Sequence, residues 1–112
     1  MYSRMIVLKG RLTVSKWRAF LNDCAKSMGM EAVGKAAHWA YPTHGGKGGN
    51  GHTIVQPITE SFLALDTWPD HDGAYLLIAS CKRFAISRVT ETALHFGLDV
   101  DDCSAPVTMR LK

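Results

Sequence analysis

Cysteine is scarce in this chain of 112 residues, and the three present, Cys24, Cys81 and Cys103, form no close pair and leave one over. A disulfide framework is therefore not expected, and a reduced, cytoplasmic protein is. Long apolar runs are lacking too: none approaches the roughly 20 residues of a membrane-spanning helix. Residues 1–9 are too short and too soon interrupted by charge to read as a secretory signal. There is no basic block and no stripe of interleaved basic and aromatic residues. Lys and Arg number 13 against 10 Asp and Glu, a net charge of +3, so no nucleic-acid partner is expected.

Other absences narrow the chemistry. The glycine-rich stretch 45–51 has five glycines in seven residues but not the phosphate-loop spacing, because Gly48 follows Lys47 and a strand pattern follows the loop. A surface loop or lid is the expectation there. His38, His44, His52 and His71 show neither helical i, i+4 spacing nor a short Cys/His spacing, so no metal is expected. No Gly-x-Ser-x-Gly elbow surrounds Ser61, which removes that class of serine hydrolase.

What remains is an ordinary globular composition, 46% apolar and 21% charged, long enough for one domain over residues 1–112 and small enough to gain from a second subunit. Residues 5–12 alternate as a strand. From Thr13 the period changes: Val14, Trp17, Leu21, Cys24, Ala25 and Met28 fall at steps of three and four, a helix capped at Thr13 or Ser15 and ended by Gly29. Residues 32–41 read as a strand stopped by Pro42. Residues 53–65 read as one long strand with apolar residues on both faces, and Pro57 within it suggests an edge or a bulge. Residues 68–73 form a turn and 74–81 a further strand. Phe84, Ile86, Val89, Ala93 and Phe96 mark a second helix, and residues 106–111 a last strand. The order β-α-β-β-β-α-β predicts an α+β fold: a two-layer sandwich, an antiparallel sheet with two helices on one face. Its other face is open to a homodimer partner.

The residues with chemistry concentrate between positions 53 and 81. Taken alone, Ser61 is a strand hydroxyl and Cys81 a small buried hydrophobe at a strand end. Together they carry a pattern: Glu60-Ser61-Phe62-Leu63-Ala64-Leu65-Asp66-Thr67-Trp68-Pro69-Asp70, then Ser80-Cys81. This resembles the prokaryotic-type S-adenosylmethionine decarboxylases, whose pattern is Glu-Ser-His-x-x-x-His-Thr-Trp-Pro-Glu followed by Thr-Cys. Spacing is kept without a gap from Thr53 to Cys81, and the element order matches over nearly the whole chain.

The resemblance implies a proenzyme that cuts itself between Glu60 and Ser61, Ser61 becoming a pyruvoyl group. That ketone forms a Schiff base with a substrate amine and accepts the electrons left by the departing carboxylate. The family cysteine, here Cys81, returns a proton to carbon. Thr53 and Asp66 assist processing, Asp70 binds ribose hydroxyls, and Trp39, Tyr41 and Glu60 stand near the substrate. The implied substrate is S-adenosylmethionine, on the way to polyamines such as spermidine. This sequence departs where Asp66 and Phe62 replace the family's two histidines, and where Leu77 replaces an acidic residue. Asp66 cannot stack on a purine, and a carboxylate there suits a small cationic amino acid such as ornithine or arginine. A third reading is an unprocessed homologue that binds a ligand or partner.

Overall fold

The structure, a computed structural model, describes residues 1–42 and 49–111. His44 and most of the glycine-rich stretch lie outside the described residues. The sheet is organised around β1 (Tyr2–Lys9), where Ile6 and Leu8 are fully buried, Val7 between them is half-buried, and the flanking Met5 and Lys9 are exposed. That two-residue alternation gives the sheet one covered and one open face. Its strands run in the order β2 (Ala37–Tyr41), β3 (Gly51–Ile58), β4 (Ser61–Trp68), β5 (Gly73–Ser80), β1, β6 (Asp99–Cys103), with the short β7 (Val107–Thr108) also paired to β1. Every pairing is antiparallel.

Helix α1 (Val14–Ser27) begins where the sequence indicates. The Thr13 hydroxyl accepts from the Lys16 amide at 3.3 Å, satisfying one of the donors a helix start leaves free. Trp17, Phe20, Leu21, Cys24 and Ala25 turn one apolar stripe onto the sheet. Helix α2 (Ile86–His95) adds Val89 and Ala93 to the same core, beside Ile6, Leu8, Ile54, Leu63, Leu65, Leu76 and Ile78. Phe20 joins the two helices, packing edge-on to Phe96 with ring centroids 5.5 Å apart. Truncating one of these fully buried leucines to alanine costs about 2–5 kcal/mol, the lost transfer energy plus a cavity. Burial, with Asp23 adding to it, holds the Cys24 thiol protonated and makes it a packing residue. The α+β arrangement, both helices on one face of an antiparallel sheet, is the one expected.

Several details differ: of residues 32–41 only Ala37–Tyr41 form a strand, and of residues 106–111 only Val107–Thr108 do. Residues 53–65 are not one strand but the two arms of a hairpin, β3 and β4, joined by the two-residue turn Thr59-Glu60. The end of β3 at Pro57 lies past the ladder with β2, and its carbonyl accepts instead from the Val33 amide at 2.9 Å. Strand β6 was not expected; it is an edge strand whose residues Asp99, Asp101 and Asp102 face solvent, charges of the kind that protect sheet edges.

The turn after β4 is held closely from behind. A Cβ on Gly73 would meet the Leu8 carbonyl at 2.6 Å, so only glycine lets β5 leave the turn beside β1. No helix among the described residues is long and apolar enough to cross a membrane.

Candidate active site

The Glu60–Ser61 bond sits at the β3–β4 hairpin. Two-residue hairpin loops normally place positive φ in the loop itself, which favours Asn and Gly. Thr59 and Glu60 do not take it; among the described residues the non-glycines with positive φ are Ser61, at 153°, and Asp72. The turn's conformational cost therefore falls on Ser61, in a region that residues with a Cβ rarely enter, at about 1–3 kcal/mol.

The carbonyl before Ser61 is also held. The Cys81 amide donates to the Glu60 carbonyl oxygen at 2.8 Å. The loop is fixed on its other side, with the Thr59 amide donating to the Glu31 carbonyl at 2.9 Å and the Thr59 hydroxyl to Glu60 Oε2 at 2.5 Å. Beyond Cys81, the Ser80 hydroxyl donates to the Lys82 carbonyl and accepts the Lys82 amide, which pins the exit from β5. The Cys81 thiol is exposed. Glu60, Ser61 and Cys81 thus form one cluster, with a polarised carbonyl at its centre.

Thr53, Asp66, Asp70 and Tyr41 form a second cluster on the open face. Thr53 and Asp66 are direct cross-strand partners, and the Thr53 hydroxyl donates to Asp66 Oδ1 at 3.1 Å. The Trp68 indole N–H donates to Asp66 Oδ2 at 2.9 Å. These residues line a groove of about 880 Å³, walled by Met5, Tyr41, Ala64, Trp68, Tyr75 and Leu77 and reaching Asp70. The groove is mostly apolar, a form suited to a small molecule with a few fixed polar contacts. Trp39 shares the face, in register with Thr53, but stands outside the groove, half-exposed at 52%.

The two clusters do not meet within one chain. Asp66 is five residues from Ser61 along β4, about 17 Å at 3.4 Å per residue. Asp66 cannot serve Ser61 of its own chain as a base.

Tyr75 escaped the sequence reading, although strand alternation in residues 74–81 puts it and Leu77 on one face; it is the β5 partner of Asp66. Nothing in the spacing of His38, His44, His52 and His71 showed that two of the four would pair behind the groove. His38 and His52, 14 residues apart, meet across β2 and β3 at 2.8 Å, and Arg18 of α1 reaches His38 Nδ1 at 3.3 Å. Arginine only donates, so His38 Nδ1 accepts, and neutral His38 carries its proton on Nε2 and donates to His52 Nδ1. Loss of water, and then the neighbouring His38, lower the His52 pKa from its ordinary value. Among the described residues no three His, Cys, Asp or Glu gather as a metal site.

Comparison with known proteins completes the description. A family model described as S-adenosylmethionine decarboxylase matches residues 12–110. No curated protein sequence matches. Among solved structures, the crystal structure of the adenosylmethionine decarboxylase from Aquifex aeolicus VF5 superposes with a TM-score of 0.62. It shares 13% identity, over 96% of this chain and 88% of that one, a likeness that establishes the fold.

Proposed function

This chain belongs to the S-adenosylmethionine decarboxylase family, and from that premise we propose that it cuts itself at Glu60–Ser61 and then decarboxylates S-adenosylmethionine for polyamine synthesis. The observation that carries the proposal is the pairing of a strained Ser61 with a Glu60 carbonyl held by the Cys81 amide. An N–H aimed at a carbonyl oxygen stabilises the negative charge that develops there when a nucleophile attacks. The nucleophile is the neighbouring Ser61 hydroxyl. Its oxygen bonds to the Glu60 carbonyl carbon, the C–N bond breaks, and the hydroxyl proton ends on the Ser61 nitrogen, leaving an ester. Removal of the Ser61 Cα proton then expels the Glu60 carboxylate. Addition of one water and loss of one ammonia leave a ketone at position 61. Release of the strain at Ser61 favours the forward direction.

The residues fit the group they would generate. A pyruvoyl group at 61 supplies the electron-accepting carbonyl that amino-acid decarboxylation needs. Cys81, fixed beside it by the bond to Glu60 and by the Ser80–Lys82 bonds, is the proton donor to carbon. Asp70 binds the ribose hydroxyls, and Tyr41, Trp68 and Tyr75 give the groove apolar and aromatic walls for the adenine. Trp39, on the same face, extends that aromatic surface.

The separation of the clusters calls for a homodimer. The open face carries exposed Met5, Trp39, Trp68 and Tyr75, an apolar surface of the kind that a partner covers. A second copy packed face to face about a two-fold axis sets its Thr53 and Asp66 by the first copy's Ser61 and Cys81, and the reverse. Each composite site then contains the base that one chain does not provide.

A second reading keeps this chemistry and changes the substrate. Asp66 places a carboxylate in an apolar groove, hydrogen-bonded by Thr53 and Trp68, a counter-charge for ornithine or arginine. Intact mass of the purified protein tests both readings. Fragments 1–60 and 61–112, the latter with a blocked N-terminus, are expected. A single full-length mass after long incubation sinks both and leaves an unprocessed binding homologue. Where cleavage occurs, carbon-dioxide release from S-adenosylmethionine against ornithine and arginine decides the substrate.

A further inference from the structure

The turn that bears Asp70 has two sides, and one belongs to a different part of the chain. Its front meets the groove through Pro69 and Asp70. Its back is held by three consecutive residues, Lys9 at the end of β1 and Gly10 and Arg11 in the β1–α1 connection. The Lys9 ammonium donates to the His71 carbonyl at 2.8 Å, and the Gly10 amide to the Asp72 carbonyl at 2.7 Å. Arg11 does most. Its Nε donates to Asp72 Oδ1 at 2.9 Å, one Nη bonds the same oxygen, and that Nη also donates to the Pro69 carbonyl at 3.1 Å. One planar guanidinium therefore spans the turn from its first residue to the one after its end.

This set of bonds is out of proportion to its worth as a stabiliser. The Arg11 and Asp72 side chains are 55% and 65% exposed, and ion pairs in such positions contribute little to stability. A fork of donors in fixed geometry does confer orientation. The turn gains from it, because Asp72 sits in the left-handed region, at φ 50° and ψ 46°, a conformation that aspartate tolerates better than most residues but still at some cost. Gly10, at φ 137°, holds a backbone conformation that residues with a side chain rarely adopt, so a bulkier anchor there would be strained.

We infer that Arg11 is a positioning residue: it fixes the Pro69–Asp72 turn so that Asp70 meets the substrate's hydroxyls at the required place. The inference rests on the reading of Asp70 as a substrate-binding residue. It assigns to the β1–α1 connection, which stands behind the groove, a share in substrate affinity.

The test is steady-state kinetics with S-adenosylmethionine on the self-cleaved wild type and on Arg11→Gln, Arg11→Lys and Asp72→Asn, with cleavage followed by intact mass. Arg11→Gln and Asp72→Asn are expected to raise KM roughly 5- to 20-fold, with kcat and the extent of cleavage within about 2-fold of wild type. Arg11→Lys, which keeps the charge but not the fork, is expected to fall between. An unmoved KM in Arg11→Gln beside a fully active wild type overturns the inference alone. So does a loss of kcat or of cleavage without a change in KM, which marks a merely structural role. A wild type that neither cleaves nor turns over sinks the underlying reading, and this inference with it.

Discussion

Replacing Ser61 by glycine and by alanine isolates the strain at the proposed scissile bond. Neither variant has a hydroxyl, so neither can cut itself, and their stabilities compare on one intact chain. In an ordinary strand glycine is the worse residue, by about 0.5–1 kcal/mol relative to alanine, because its unfolded backbone is freer. At Ser61 the φ of 153° reverses the expectation. Alanine must carry a conformational cost of about 1–3 kcal/mol that glycine does not. The difference leaves glycine ahead by about 0.5–2 kcal/mol, or about 2–8 °C in melting temperature for a domain of this length. Urea denaturation at pH 7.5, read by tryptophan fluorescence, gives the two midpoints, and thermal melts check them. Alanine as stable as glycine, or more so, would refute the argument. Ser61 would then be relaxed, and the hairpin would contribute nothing to its own cleavage.

Two further predictions concern the dimer and the histidine pair. Asp66→Ala and Ser61→Ala are each expected to stay uncut alone, but when produced together the Asp66→Ala chain is expected to be cleaved, because the other copy supplies its carboxylate. No cleavage in the mixture, or wild-type cleavage of Asp66→Ala alone, removes the shared site. Lowering pH is expected to destabilise the fold through His52. Its folded pKa lies below the ordinary 6.5, so the unfolded chain binds the proton more tightly. The stability contribution is complete above about pH 6.5 and is lost as pH falls through the folded value. Protonation at His52 Nδ1 also removes the site that accepts from His38. Urea midpoints from pH 7.5 to 5 should fall more steeply in wild type than in His52→Asn, and parallel curves would contradict the assigned bonding.

The elements legible in the sequence were those whose local chemistry agrees with their setting. Helix α1 combines a three-four apolar spacing with a capping Thr13, and nothing in the tertiary structure opposes either. The β3–β4 hairpin was hidden because Thr59-Glu60 carries no turn residue. The burden that Asn-Gly would have taken falls on Ser61, and without that displacement the join looks like continuous strand. Strand β6 was hidden by its aspartates, which suit an edge and read as loop. In the site, Ser61 and Cys81 stood out through the family pattern, and no spacing rule would have shown Cys81 reaching the Glu60 carbonyl. The distance from Ser61 to Asp66 was legible once both were placed on one extended strand. Arg11 gave no sign, since its partners lie about sixty residues away.

The strand order has a consequence for what self-cleavage would make. A break at 60–61 cuts a hairpin turn, not the sheet. The first piece contributes β1, lodged between β5 and β6 of the second piece, and β3, laddered to β4. The pieces would be interleaved and would remain together without a covalent link. Unfolding is another matter. The uncut chain can refold as one molecule, whereas the cut pieces must find each other, so recovery from urea becomes second order and fails on dilution. Self-cleavage in this fold would leave the native state intact and take away the route back to it.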